Sequence, residues 1–246
     1  MVLFIQMDWT KEKVDYYAEE FKKLNTPLVW DALYVEYGYR NQILRHQVKP
    51  ILRNMQVAGP AVTVKGTARV TPMEDEFRKP GPGPLGGMWT RVADMITPGC
   101  VVLVDAGYTE VAVLGDIFAT SWKYAGMQGL VCDGPVRDSF GFLEEDIPLF
   151  CTHTMPICAE GHWQMTEGNV PLWLHGQLGE VKVEPGDYIF GDADGVLVIP
   201  QDMIDKVLAN AKQRAENEKK NKADIRAGKT ARQIWEADGH SGILED

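Results

Sequence analysis

The chain has 246 residues, 45% of them hydrophobic and 24% charged, and a net charge of −10. That length suits one large domain with a self-sufficient core, and the composition is ordinary for a globular protein. With no basic run in the body of the chain, a duplex-binding surface is excluded; the longest apolar runs, such as 129–132 and 196–199, are far too short to cross a bilayer.

The apolar start at residues 1–7 is short, no basic residue precedes it and no small-residue cleavage site follows, so no secretory signal is expected. Residues 10–24 place Val14, Tyr17, Ala18 and Phe21 at the spacing of an amphipathic helix. Asn25-Thr26-Pro27 ends that helix and starts a second, with proline suited to its first turn; it runs to about Tyr37 and stops at Gly38. From Gly59 the period changes, and residues 61–68 alternate and are β-branched, which predicts a strand. Residues 71–87 hold four prolines and four glycines among charged side chains and read as a long loop. A short helix is predicted over 89–96, a turn at Pro98-Gly99, an apolar strand over 100–105 and a shorter strand over 110–114. A helix over 116–125 ends at Gly126, and a buried strand follows over 129–132. Further strands are predicted over 148–152, 179–183, 188–190 and 196–199, with turns at Pro185-Gly186 and 192–195. Residues 201–222 form a charged helix with an apolar stripe at Ile204, Val207, Leu208 and Ala211, and 230–235 add a last turn. The Lys-rich stretch 219–222 belongs to that helix's solvated face. Cys100, Cys132, Cys151 and Cys158 form no C-x-x-C pair, and buried free thiols in a reducing, cytoplasmic setting are expected.

The chemistry concentrates between residues 115 and 138. A strand, a helix opening at Gly115-Asp116 and a strand ending at Cys132 make a crossover, so the two strands should run parallel. Ligands bind at the C-terminal edge of such strands, which brings Asp116 and Arg137-Asp138 together although twenty residues separate Asp116 from Arg137. The first N–H groups of the helix, at Ile117 and Phe118, lack intrahelical partners and favour an anion. Gly115 allows a ligand close to the backbone, and the Arg137 fork suits a carboxylate or enolate oxygen. Asp116 and Asp138 are hard oxygen donors suited to Mg²⁺ or Mn²⁺, directly or through water. A 2-oxo acid fits an anion cradle beside a metal cradle. Taken singly, these residues read as a helix cap and a surface salt bridge.

The stretch Gly115-Asp116, Ala125-Gly126 and Gly129-Leu130-Val131-Cys132-Asp133-Gly134-Pro135-Val136-Arg137-Asp138 resembles the RraA-like family, whose signature is Asp, twenty residues, then Arg-Asp. Trp30-Asp31-Ala32-Leu33, the segment 57–64, and Val183-Glu184-Pro185-Gly186-Asp187 with the turn after Gly191 are similar to its other conserved parts; the likeness covers roughly residues 25–230. The family includes class II pyruvate aldolases acting on 4-hydroxy-4-methyl-2-oxoglutarate and 4-carboxy-4-hydroxy-2-oxoadipate. The resemblance implies an α/β fold, a compact β/β/α core of the swivelling-domain type over residues 25–200, with helical extensions over 1–24 and 201–246. It implies a homotrimer, sometimes doubled to a hexamer. It also implies that Asp138 binds the metal, that Asp116 acts on it through water, and that Arg137 with the amides of Ile117 and Phe118 holds the oxo acid. In the family a glutamate from a neighbouring subunit's C-terminal helix also orders water at the metal. Spacing to Gly228 makes Glu218 the candidate, although a solvated helix face is the simpler reading of it.

The expected activity is cleavage of a 4-hydroxy-2-oxo acid to pyruvate, with oxaloacetate decarboxylation through the same enolate. Two alternatives come with the scaffold: another metal-assisted lyase or isomerase of oxo or sugar acids, and a non-catalytic ribonuclease-binding regulator. The loop 71–87 and the aromatic Ser139-Phe140-Gly141-Phe142 depart from the family pattern and leave the substrate's distal group open. Asp192-Ala193-Asp194-Gly195 lacks the later ligands of a calcium loop and reads as a hairpin turn. His153, His162 and His175 lack metal-ligand spacing, and no serine nucleophile or Schiff-base lysine stands out.

Overall fold

The computed structural model describes residues 8–69 and 84–237. Helix α1 (Lys11–Phe21) is capped by Thr10, whose hydroxyl accepts from the Lys13 N–H, and buries Val14, Tyr17 and Phe21. Asn25 caps α2 (Thr26–Asp31) by accepting from the Leu28 N–H, and a wider π-helical turn, Ala32–Glu36, continues it towards Gly38. The strands are β1 (Lys49–Pro50), β2 (Val57–Ala68), β3 (Val101–Asp105), β4 (Gly129–Cys132), β5 (Leu149–Cys151), β6 (Trp163–Gly168), β7 (Leu172–Gly176), β8 (Gly179–Val183), β9 (Tyr188–Asp192) and β10 (Gly195–Ile199). Helices α3 (Pro84–Met95), α4 (Asp116–Ala125), α5 (Ser139–Glu144), α6 (Ile204–Arg226) and α7 (Ala231–Ala237) complete the described elements.

The main sheet runs β1-β5-β4-β3-β2-β9-β10, with β6 pairing on the far half of β2. Strands β2, β3, β4 and β5 are mutually parallel, which the intervening helical crossovers require. Bridges Ile43↔Leu197 and Leu44↔Gly176 tie the segment before β1 to β10 and β7, so the sheet nearly closes on itself.

Side-chain alternation splits the core into three layers. Val101, Leu103, Val131, Phe150, Ile189 and Val198 point inward, against the β7–β8 hairpin. Val102, Val104, Leu130 and Leu149 point the other way, against α4 with its Trp122 and against Trp89. Tyr188, Phe190, Leu197 and Ile199 meet α1, α2 and α6, including the whole stripe Ile204, Val207, Leu208 and Ala211. Each such side chain stabilises the fold by ~1.5–3 kcal/mol when fully buried. The α/β architecture expected from the sequence is therefore present, with helices on two faces of a curled sheet.

Several expectations need correction. Residues 110–114 form no strand. Their backbone bonds instead go to separate loops: Ala112 N–H to Ile157 O, Val113 N–H to Pro135 O, and Leu114 O from Arg137 N–H. The strand that enters the crossover is β3, which ends at Asp105, with ten residues between it and Asp116. The helix expected over 89–96 is described from Pro84, a residue favourable in a first turn, so residues 84–87 are helical; residues 71–83 of the expected loop lie outside the described region. Short elements α5, β6 and β7 were not anticipated. Among the described residues no helix is long and apolar enough to cross a membrane.

Candidate active site

The crossover β3–α4–β4 sets both halves of the site on the C-terminal edge of the parallel strands. One half arrives on the loop 106–115, the other on residues 133–138. The bond from Arg137 N–H to Leu114 O, 3.1 Å, draws them together. Residues 134–136 are fixed on their other side by Thr152 N–H to Gly134 O, Val136 N–H to His153 O and Met155 N–H to Val136 O.

Asp138 is in the left-handed region at φ +61°, and its carboxylate accepts from Arg137 Nε at 3.0 Å. Both side chains stay open, 38% exposed for Arg137 and 42% for Asp138. Gly115 precedes α4 and offers no side chain to cap it, so the first N–H groups of this ten-residue helix remain available to an anion. A Cβ at Gly115 would collide with Asp138 Oδ2 and lie 3.3 Å from Arg137 Nε. A Cβ at Gly141 would come within 2.6 Å of Asp116 Cγ. Glycine at these two positions is what lets both carboxylates sit against the backbone. Ile117 projects outward, 79% exposed, while Phe118 is partly buried beside Trp89 at 6.0 Å between rings.

The structure thus brings Gly115, Asp116, Arg137 and Asp138 together, with Ile117 and Phe118 next in the helix. Glu218 stands apart on α6, in an i,i+4 ion pair with Lys222 at 2.6 Å. No group of three His, Cys, Asp or Glu side chains among the described residues could hold a metal within one chain. Two carboxylates with room beside them nonetheless suit Mg²⁺, which keeps several waters and takes one or two protein carboxylates plus substrate oxygens. The donor set fits the implied ion in that form.

Further polar contacts lie at the C-terminal ends of β3 and β4 and in the loops beyond them. Asp133 is buried, and its Oδ1 accepts from Arg45 Nε at 2.6 Å. Its Oδ2 faces His175 Nδ1 at 3.2 Å and the His175 N–H at 3.4 Å. Tyr108, itself at φ +61°, meets the His175 ring edge-on at 4.0 Å. Asp105, beside Asp133 across the β3–β4 pair, has its carboxyl raised by burial, which outweighs the hydrogen bond from the Gly107 N–H. The Cys158 thiol is pushed up, chiefly by its hydrogen bond to Glu160 and by burial. The other cysteines are buried, and desolvation raises Cys100 to about 11 and Cys151 to about 12. Asp192 accepts from Thr26 and from the Asp194 N–H within the β9–β10 hairpin, a turn as expected.

A doubly crossed parallel sheet flanked by helices places the chain among α/β proteins, and comparison with known proteins identifies the family. The RraA-like model, described as Aldolase/RraA, matches residues 26–198, and the chain belongs to this family. A Halalkalibacterium halodurans protein named "Putative 4-hydroxy-4-methyl-2-oxoglutarate aldolase" is 32% identical over 216 residues, 87% of this chain and 90% of that one. Streptomyces coelicolor RraAS2, described as an unusual member of the RNase ES inhibitor RraA family, matches in fold at TM-score 0.69 and 22% identity, over 88% of this chain and 98% of the other. An uncharacterized Pseudomonas syringae pv. tomato protein matches at TM-score 0.72 and 22% identity, over 93% and 99%.

Proposed function

We propose that the chain is a divalent-metal-dependent lyase that cleaves a 4-hydroxy-2-oxo acid and releases pyruvate, with oxaloacetate decarboxylation as a side activity. The observation that supports this reading is the bond from Arg137 N–H to Leu114 O, which holds the exposed Arg137-Asp138 pair beside the uncapped start of α4. The name of the Halalkalibacterium relative points the same way.

The N–H groups of Ile117 and Phe118 bind the substrate carboxylate. Arg137 donates to the oxygen on which negative charge develops as the C3–C4 bond breaks and its electron pair becomes the pyruvate enolate. Asp116, at the helix start, accepts the 4-hydroxyl proton through water. Asp138, with Asp116 acting through water, would hold Mg²⁺ or Mn²⁺, and the ion would withdraw electrons from the keto group. Because one chain offers only these two carboxylates, we place Glu218 of a second copy at the same site, in a homotrimer or a doubled trimer. Ile117 and Phe140, 79% and 82% exposed next to the site, support a face that another copy covers.

The test is pyruvate release from 4-hydroxy-4-methyl-2-oxoglutarate and from oxaloacetate, with Mg²⁺ or Mn²⁺ and then with chelator. Release that chelator stops is expected. Turnover indifferent to chelator would remove the metal, and no release from any 4-hydroxy-2-oxo acid would remove the lyase. A ribonuclease-binding regulator has no use for Asp116, and a pull-down against a ribonuclease beside the assay separates it.

A further inference from the structure

A cavity of about 340 Å³ opens where the end of β5 meets β1 and α5. Its polar lining among the described residues is Lys49, Ser139, Thr152, His153 and Thr154, with no Asp or Glu among them. All five side chains donate hydrogen bonds, two of them can carry positive charge, and none brings a negative charge to meet it. Lys49 Nζ donates to Ala193 O and Asp194 O, at 3.2 and 2.6 Å, which leaves one of its three N–H groups. His153 Nδ1 is 3.1 Å from Thr152 Oγ1, which leaves Nε2. Ile51 and Leu143 supply aliphatic walls beside these donors. Surplus donors select an anion, and aliphatic walls select one attached to a carbon chain over a bare inorganic ion.

We propose that this cavity binds the carboxylate of a short-chain organic acid. The carboxylate has two possible sources. The first is the distal end of the substrate, because Ser139 directly follows Asp138; this source rests on the lyase reading above. The second is a separate free acid. Ser139 and Leu143, four apart, share one face of α5, whereas Gly141 on the opposite face abuts Asp116, so the helix stands between the cavity and that carboxylate.

Calorimetric titration of the full chain with Mg²⁺ tests the proposal, using 2-oxoglutarate, 2-oxopentanoate (equal in length, without the second carboxylate) and glutarate. If the substrate's distal end is the ligand, 2-oxoglutarate binds about tenfold tighter than 2-oxopentanoate, the scale of one charge-assisted hydrogen bond. His153→Gln and Ser139→Ala then abolish that advantage and leave 2-oxopentanoate affinity unchanged, which also shows that both variants are folded. If a free acid is the ligand, glutarate binds while 2-oxopentanoate saturates the first site, and the same variants weaken glutarate about tenfold. The proposal is overturned if the variants bind both diacids as the wild type does, or if the wild type neither prefers 2-oxoglutarate nor binds glutarate. A chain that shows the diacid effect yet releases no pyruvate keeps the cavity site and loses the lyase reading.

Discussion

Asp133 and Asp138 lie five residues apart on the same sheet edge, and the fold treats them in opposite ways. The Asp133 side chain is 3% exposed, and Arg45 and His175 occupy both its oxygens. Asp138 is 42% exposed, has Arg137 as its ion-pair partner, and sits in a left-handed conformation that Asp tolerates better than most residues but at a cost. A saturated, buried carboxylate is a fastening. An open carboxylate on a strained backbone, with glycine required beside it, is the one the proposed metal role assigns to a ligand.

The largest expected effect follows from that contrast. Asp138→Asn keeps the left-handed backbone accessible and removes the charge. It should lower kcat for pyruvate release by on the order of 10³-fold, as losses of electrostatic stabilisation in active sites do, with Tm within a few degrees of wild type. Unchanged kcat would make Asp138 a surface residue. Asp133→Ala should do the reverse. It strands Arg45 and His175 beside a vacated buried site, at about 3–5 kcal/mol, which lowers Tm by on the order of 10 °C while folded molecules retain most activity at low temperature. A variant with wild-type Tm and no turnover would erase the distinction between the two aspartates.

The sequence made Asp138 legible and left Asp133 obscure, for a physical reason. Asp116, Arg137 and Asp138 belong to one local crossover, whose capping glycine and apolar strands are written in neighbouring residues. The partners of Asp133 come from Arg45, 88 positions earlier, and His175, 42 positions later, so nothing near it in the chain announces the clamp. The cap at Asn25 and the stripe on α6 were readable because helix periodicity and end chemistry are local. Residues 110–114 read as a strand because apolar alternation reports burial, and here two loop segments, 133–138 and the one at Ile157, provide it. Helix α5 is six residues long and contains a glycine, too little for a periodic signal. That glycine is itself the overlooked sign of the site, since it is where Asp116 packs.

Gly141→Ala therefore probes the open half of the comparison with a smaller perturbation. The added methyl meets the Asp116 carboxylate and also its Cβ at 2.7 Å, so α4 and α5 must shift apart slightly, and about a tenfold loss in kcat is expected with a Tm lower by a few degrees. Steady-state kinetics beside thermal melting measures this; a variant as active as wild type would show that Asp116 need not hold its observed place.

Asp187 sharpens the buried half. Like Asp133 it is enclosed, but its hydrogen-bond donors are the backbone N–H groups of Glu184 and Gln201, at 2.9 and 3.2 Å, with no ion-pair partner such as Arg45. Burial wins over those two bonds and raises its carboxyl from 3.8 to about 6. The folded state thus favours the protonated form. The stabilising contribution is complete below the unfolded value near 3.8 and is lost as pH rises through about 6. Carboxyl ¹³C shifts followed against pH should place the Asp187 midpoint near 6, and the group should oppose any gain in stability between pH 4 and 6. A midpoint at or below 3.8 would show that two backbone donors suffice to hold a buried charge, and that the arginine on Asp133 is not what allows a carboxylate to be enclosed in this fold.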